Sequence, residues 1–431
     1  MLIAVEATVQ AIVFILQIAP IGTNIGLARI LWVMVNGSLL QSRGAVFPAL
    51  VASGFGIQEI RRSWAALRHG AWEINELLEQ WQIYVNGQNR WQPRQHEHYR
   101  VLSVDMTGFW RPHLQGWAGK HYHNLAQKAL PAVVMGVIIL SGQIGPSRIP
   151  LLRRLIRCQP QTGKTDFRLQ LLQEAAAQAV SDQVIVADAE FSVDELHAAG
   201  VPRYVVRLAS NACARRNLLP PYQGRGRRPL YGQTIRPLAR QRKGKQIAAT
   251  PPDRQSQFDY AQRCIQVSSW HGLVSAGTAV SVDAPTFSIY VYHDPAYRQP
   301  LVLATNLALH PQTPYLMYRD RWPVEQAPLA AKQMIGLHRH FVFAPETCFR
   351  LPELALLAGS ILTYVAASLP PFPVGFWDKK PKPTPGRLRR VLAQAHFPIV
   401  AEFDPQLREK HVCTAHLPKG IDAHRRTKRA A

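Results

Sequence analysis

The 431-residue sequence predicts an α/β fold, a mixed sheet flanked by helices, with a helical N-terminal region and a β-rich insertion. Three observations carry this. Residues 99–209 alternate strand-length apolar runs with helical spacing, in the order strands, helix, strand, helix, strand. Residues 1–98 read as helical. Residues 210–300 break the rhythm with loop-like sequence and short strand runs, before strand character returns at Leu301 to Thr305. A hydrophobic content of 47% against 18% charged fits a folded globular chain.

Taken in order, Ala7 to Ala28 is uncharged, but Gln10, Gln17 and Asn24 interrupt it and Pro20 breaks it, so it reads as buried helix. Phe47 to Leu67 (FPALVASGFGIQEIRRSWAAL) fits two helices joined at Gly54 or Gly56, either a helix-turn-helix or a plain helical hairpin. The pattern changes at Tyr99. Arg100 to Trp110 (RVLSVDMTGFW) is an apolar run ending in an acid, Asp105, and then a turn. Pro131 to Leu140 is a β-branched strand. Asp166 to Val180 has helical spacing with Asp166 as its cap. Gln183 to Phe191 is a strand with Asp188 near its end, Ser192 to Gly200 a short helix closed by glycine, and Arg203 to Ala209 a further strand.

Asn211 to Lys245 holds ten basic residues, Arg215, Arg216, Arg225, Arg227, Arg228, Arg236, Arg240, Arg242, Lys243 and Lys245, and no acid. Such a run is expected to track phosphates rather than to be merely solvated. Strand-like runs follow at Cys264 to Ser269 and Thr286 to His293. Then come a long helix from about Tyr318 and an apolar helix from Pro352. Within the latter, Leu354 to Leu369 is short for a membrane span and is stopped by Pro370 and Pro371. The end of the chain (KKPKPTPGRLRR, Lys379 to Arg390) reads as a basic, proline-rich linker with a short helix. The expected division is 1–98, 99–209, 210–300, 301–370 and 371–431.

The net charge of +23 and pI near 10.3 call for a polyanionic partner, nucleic acid or an anionic membrane. The apolar stretches disfavour the membrane. Glu6 stands where a signal peptide carries positive charge, so a cytoplasmic location is expected. The five cysteines, Cys158, Cys213, Cys264, Cys348 and Cys413, are far apart and form no CxxC pair, which argues against a zinc finger or a disulfide framework.

Asp105 and Asp188 stand at the ends of predicted central strands, where ligands bind in open α/β sheets, although an acid there often only caps a turn. The segment Tyr318 to Lys332 (YRDRWPVEQAPLAAK) is more specific. Tyr318, Arg321, Glu325 and Lys332 are separated by three, four and seven residues. On a regular helix they would fall within an arc of roughly 60°. Asp320 and Gln326 point elsewhere. A tyrosine, two cations and a carboxylate make a poor core stripe but suit a metal and phosphates; the plainer reading is a solvated face with an i,i+4 ion pair. Phosphoryl transfer on DNA needs positioning and charge neutralisation. Carboxylates holding two Mg²⁺ or Mn²⁺ ions supply the second, and Arg, Lys and Tyr grip flanking phosphates and strand ends.

Y-x2-R-x3-E-x6-K resembles the YREK signature of a group of bacterial insertion-sequence DDE transposases, and the resemblance covers roughly residues 99–340. VLSVDMTG is similar to the family's first-aspartate strand, ADAEF to its second-aspartate motif, and YVVRLASN to the strand that follows. The resemblance implies a ribonuclease-H-like core with a β-rich insertion, Asp105, Asp188 and Glu325 as catalytic metal-binding acids, and Tyr318, Arg321 and Lys332 as DNA-binding residues. It also implies double-stranded DNA partners (terminal inverted repeats and target DNA), at least a homodimer, and a nucleoid-associated bacterial protein. Two departures stand out: Ala189-Glu190 occupies a turn that commonly contains glycine, and Trp270, the one tryptophan of the insertion, has no assigned stacking role. An inactive DNA-binding derivative and a nuclease without strand transfer are the rival readings. Gly163-Lys164-Thr165 lacks the first glycine of a nucleotide-binding loop, Cys158 standing in its place. His96-Glu97-His98 and His121-Tyr122-His123 lack the spacing of a helical metal pair and read as surface histidines.

Overall fold

The computed structural model describes residues 2–396 apart from positions 112, 124, 223, 225, 243 and 374. Arg225 and Lys243 of the basic run, Cys413 and the tail beyond 396 lie outside the described residues, as does the side chain of Arg242.

Six helices precede the sheet: α1 (Leu2–Leu16), α2 (Thr23–Val35), α3 (Ser38–Gln41), α4 (Val46–Ala52), α5 (Ile57–His69) and α6 (Ile74–Gly87). The break around Pro20 separates α1 from α2. On α2 every residue from Gly26 to Val35 is buried. A Cβ on Gly26 would lie 2.5 Å from the Cβ of Ala66, so glycine is what lets α2 and α5 touch. α4 and α5 are joined through Gly54, whose φ of +83° a bulkier residue would resist.

The strands begin with β1 (Gln92–Pro93), β2 (Gln95–His96), β3 (Tyr99–Trp110), β4 (Lys120–His123), β5 (Lys128–Ile144) and β6 (Ser147–Arg157). After α7 (Lys164–Gln178) comes β7 (Gln183–Ala187), and after α8 (Val193–Ala198) comes β8 (Tyr204–Arg207). β5 pairs antiparallel with β3 and with β6, whereas β7 pairs parallel with β3 and β8 parallel with β7. The result is a mixed sheet in the order β6-β5-β3-β7-β8, antiparallel on one side of β3 and parallel on the other, and consistent with a ribonuclease-H-like core. The parallel strands are buried on both faces, which explains the unbroken apolar run of β7.

The 210–300 segment contributes β9 (Ala214–Arg216), β10 (Thr234–Ile235), β11 (Arg240–Arg242), β12 (Lys245–Ile247), β13 (Arg254–Tyr260), β14 (Arg263–Ser275) and β15 (Phe287–His293), followed by β16 (Leu301–Thr305). β16 pairs with β8, and β15 and β14 follow it, so these strands continue the same sheet, which has 14 strands among the described residues. Beyond β16 lie α9 (Gln312–Arg319), a 3-10 turn at Trp322–Glu325, α10 (Gln326–Leu329), a π-helical turn at Ala330–Met334, α11 (Pro345–Ser368) and α12 (Pro385–Leu392).

Four sequence expectations are corrected. The run through Asp105 does not end at the acid: β3 continues to Trp110 because β5 pairs with it from Leu102 to Trp110. The long helix from Tyr318 is broken into the end of α9 and three short pieces. Pro323 and Pro328 have no N–H to give, so the α ladder cannot run through them; Val324 N–H bonds the Arg321 carbonyl in 3-10 fashion and Ile335 N–H the Ala330 carbonyl in π fashion. The apolar helix begins at Pro345, with Pro352 inside it. Asp166 does not cap α7: Gly163 holds that position without a side-chain hydrogen bond, and Asp166 sits in the first turn, where its charge suits the helix dipole.

α11 is long and apolar enough to cross a membrane, but 89% of its most apolar window is buried inside the protein, where it is the axis of the helical core. α12 closes on that core through Leu388 and Leu392. Cys158 and Cys348 are buried, Cys264 is exposed, and these and Cys213 are free thiols.

Candidate active site

The first two acids are placed by strand register. Ser103 of β3 lies opposite Val186 of the parallel β7; two residues further on stand Asp105, still within β3, and Asp188, just past the end of β7. The Asp105 Oδ1 accepts the Met106 N–H at 2.8 Å, and the Asp188 Oδ1 accepts the Ala189 N–H at 2.7 Å. Glu325 arrives from the 3-10 turn.

One guanidinium joins all three. Arg321 donates from Nη1 to Asp105 Oδ2 at 3.3 Å, and from Nη2 to Asp188 Oδ2 at 3.3 Å and to Glu325 Oε1 at 3.1 Å. The Tyr318 hydroxyl donates to Asp188 Oδ1 at 3.0 Å, and its ring lies beneath the Arg321 guanidinium, 5.5 Å from centroid to Cζ. Arg207, closing β8, adds a cation 3.7 Å from Asp188. Burial pushes the Asp105 carboxyl up to about 6 against the pull of Arg321. Burial also works against the charge on Arg321, but Tyr318 and the three acids outweigh it and hold the guanidinium above its ordinary range.

Lys332 is held differently. Its Nζ lies over the Trp110 ring at 4.7 Å and the Phe109 ring at 5.5 Å, both at the far end of the strand that carries Asp105. Burial lowers the amine to about 8, with Asp105 opposing. The structure thus brings Asp105, Asp188, Glu325, Tyr318 and Arg321 into direct contact and sets Lys332 beside them on an aromatic seat. The expected single helical stripe is replaced by the end of α9, a 3-10 turn and a π turn.

Asp320 anchors this segment, although the sequence reading left it without a role. Its side chain points away from the trio and is 1% exposed; it accepts from Arg94 Nε at 2.5 Å and pairs with His96 Nε2 at 2.7 Å and Arg148 Nε at 3.4 Å. Its backbone carbonyl accepts the Ser141 hydroxyl at 2.6 Å. Arg321 is therefore fixed from behind by the edge of the sheet. The His96-Glu97-His98 cluster is part of this scaffold: Glu97 accepts from the Thr313 hydroxyl at 2.7 Å at the start of α9.

Other residues emerge only in three dimensions. His121 lies against Gly108, where a Cβ would come within 2.3 Å of the His121 Cβ, so the glycine in VDMTG makes room for β4. The Trp110 indole N–H donates to the His121 carbonyl at 3.2 Å. Burial, then Lys332, lowers the His121 imidazole below its ordinary range. Lys164 of the Gly163-Lys164-Thr165 run forms an ion pair with Glu190, which gives the Ala189-Glu190 turn a partner. Trp270 is 2% exposed and donates to the Pro251 carbonyl at 2.9 Å, so it is a core residue. Part of the basic run is consumed internally: Arg216 grips Asp253, just past the acid-free stretch, and Arg215 donates to the Ala276 carbonyl at 2.7 Å.

A groove of about 620 Å³ opens beside the trio, lined by Tyr318 and Arg321 together with Arg148, Arg207, Tyr297 and Arg298. Trp322, 63% exposed, stands at its edge.

Three carboxylates are the oxygen donors that a hard divalent cation takes. Among the described residues no three acidic, histidine or cysteine side chains form a ready-made cage around one point. The trio closes on Arg321, whose single charge leaves the ionised set with an excess of negative charge. The donor chemistry fits Mg²⁺ or Mn²⁺; the guanidinium shares those oxygens.

No curated protein matches the chain. Residues 153–270 match the family described as DDE superfamily endonuclease, a span of about a quarter of the chain that contains Asp188 but neither Asp105 nor Glu325. That match supports a DDE-type transposase or endonuclease, a nucleic-acid-cleaving class that implies DNA as substrate and generally uses divalent metal ions.

Proposed function

We propose that this chain is a DNA transposase of the insertion-sequence type, cleaving DNA at the ends of its element and joining the freed 3′-OH to a target. The single observation that carries the reading is the joint grip of Arg321 on Asp105, Asp188 and Glu325, three acids drawn from distant parts of the chain. A carboxyl raised by burial at Asp105, packed with two further acids against a cation in a basic groove, is what a phosphoryl-transfer site requires. When bound at these carboxylates, Mg²⁺ or Mn²⁺ acidifies the attacking water or 3′-OH and neutralises the leaving oxygen.

The protein's own groups do the rest. Arg321 keeps the like-charged acids together, and its planar fork is shaped to take phosphate oxygens as well as carboxylates. The Tyr318 hydroxyl orients Asp188. Lys332, with its amine near 8, delivers a cation to a strand end from a dry aromatic seat. Two DNA ends must be brought together, so the working form is at least a homodimer. The division into an N-terminal helical region with DNA contacts, a split core and a basic tail, and a cytoplasmic, nucleoid-associated location without a membrane role, belong to the same proposal.

The test uses labelled duplex carrying the repeats that flank the chain's coding sequence, with a target plasmid. Wild type is expected to give joined products in Mg²⁺ or Mn²⁺. Glu325→Gln is expected to bind the duplex with unchanged affinity and to cut it at least about 100-fold more slowly. Normal cutting by the variant would overturn the assignment. Nicks without joining would reduce the function to that of a nuclease.

A further inference from the structure

Beyond the groove, the sheet carries an exposed polar face. β13, β14 and β15 pair antiparallel, with Gln255 opposite Ser268, Gln257 opposite Gln266, and Gln266 opposite His293. Opposed residues share a face, so these five side chains line one side, whereas Ile265, Val267 and Tyr292 turn to the other and are buried. Gln255, Gln257, Gln266 and His293 are exposed and line a shallow cleft of about 550 Å³. In a chain with a net charge of +23, a solvated surface would be expected to carry Arg or Lys. This face instead presents three amides, each able to donate and accept at once, with acids only at its two ends, Asp253, which is paired with Arg216, and Asp259. Cations grip phosphates without reading sequence, while a glutamine amide matches the N6 and N7 edge of adenine in the major groove.

The face is also continuous with the candidate active site. Gln266 and His293 border a second cleft with Tyr297 and Arg298, and those two line the groove that contains Tyr318 and Arg321. Asp188 follows β7, and from β7 the sheet runs through β8, β16 and β15 to β14. Four strand spacings of about 4.8 Å reach β14 and a fifth reaches β13, roughly 19 to 24 Å. At about 3.4 Å per base pair that is roughly six or seven base pairs of duplex.

We propose that Gln255, Gln257 and Gln266 form a base-reading surface for duplex DNA, selecting A·T pairs about six or seven positions from the cleaved phosphate. This rests on the DNA-cleaving reading above. The experiment sequences the duplexes that full-length protein retains from a pool with a randomised 20-base-pair block, for wild type and for the Gln255→Ala/Gln257→Ala/Gln266→Ala variant. In parallel, wild type is assayed for Mg²⁺-dependent cutting of supercoiled plasmid. Wild type should enrich A·T at two or three adjacent positions, and the variant should lose that preference about tenfold at those positions alone, with an unchanged melting temperature. The same preference in both proteins, or no positional preference in wild type, overturns the surface. Failure of wild type to cut the plasmid sinks the cleavage reading instead, so the two failures are distinguishable.

Discussion

The site is built from two unlike halves. One is the sheet, where Asp105 stands on β3 and Asp188 directly follows the parallel β7, so the register of the two strands sets their separation. The other is the stretch from Tyr318 to Met334, which changes helix type three times and depends on outside partners. The sheet half is held by its own backbone ladder. The segment half is held from behind by Asp320, buried among Arg94, His96 and Arg148. Placement by ladder needs no side chain, whereas placement by anchor fails if one carboxylate is lost.

The sharpest way to break this contrast is Asp320→Ala. Removing the acid strands two arginines at the sheet edge, and loss of one partner from a buried ionic cluster costs about 3–5 kcal/mol. A lower denaturant midpoint and loss of cleavage are expected together, although Asp320 touches none of the trio. A variant that melted like wild type would show that the segment is held elsewhere.

The sheet half should answer in the opposite sense. Asp105→Asn removes a carboxyl whose folded value, about 6, lies above its ordinary 3.8. The folded state favours the protonated form, so this group's contribution is full below about 4 and is lost as pH rises through 6. The variant should therefore gain stability at neutral pH, on the order of 1–3 kcal/mol, while losing cleavage. Stability curves for the two proteins between pH 4 and 7 check this: they should converge at the acid end. Divergence there would refute the assigned cause.

Lys332→Met should have the smallest effect. Its amine is lowered from 10.5 to about 8, so the folded state disfavours the charge; the penalty is present at pH 7 and disappears between about 8 and 10.5. The shift corresponds to about 3 kcal/mol, but Met also gives up the cation–π contacts with Trp110 and Phe109, worth about 2 kcal/mol when desolvated, so a net gain of roughly 1 kcal/mol or less at pH 7 is expected. Weaker binding to labelled end duplex should accompany it. Equal affinity would remove Lys332 from the DNA-gripping set.

The sheet half was legible in sequence because period-two runs and the β-branched segments around Asp105 and Asp188 report strands directly, even though the end of β3 was misread where β5 extends it. The spacing of Tyr318, Arg321 and Glu325 was legible, but their conformation was not. A regular helix was the simplest carrier of that spacing, and two prolines with a buried aspartate impose another. Asp320, Arg94, His96 and Arg148 could not be connected because they lie on elements far apart in the chain and look like ordinary surface charges one at a time. The histidines at 121 and 123 were dismissed as surface groups; the glycine of VDMTG was the available signal that something packs against that strand.

The clasp formed by α12 has a consequence in time. Arg389 donates to the Met334 carbonyl at 3.0 Å, closing the turn that carries Lys332, and its side chain lies over Gly37. These two partners are 55 residues apart in the chain. At about 5–20 residues per second, the ribosome makes Arg389 roughly 3–11 seconds after Met334. Until Arg389 has been made, the Met334 carbonyl at the end of the Lys332 turn lacks this hydrogen bond. Completion of the turn that carries Lys332 is thus one of the later events in the making of each new chain.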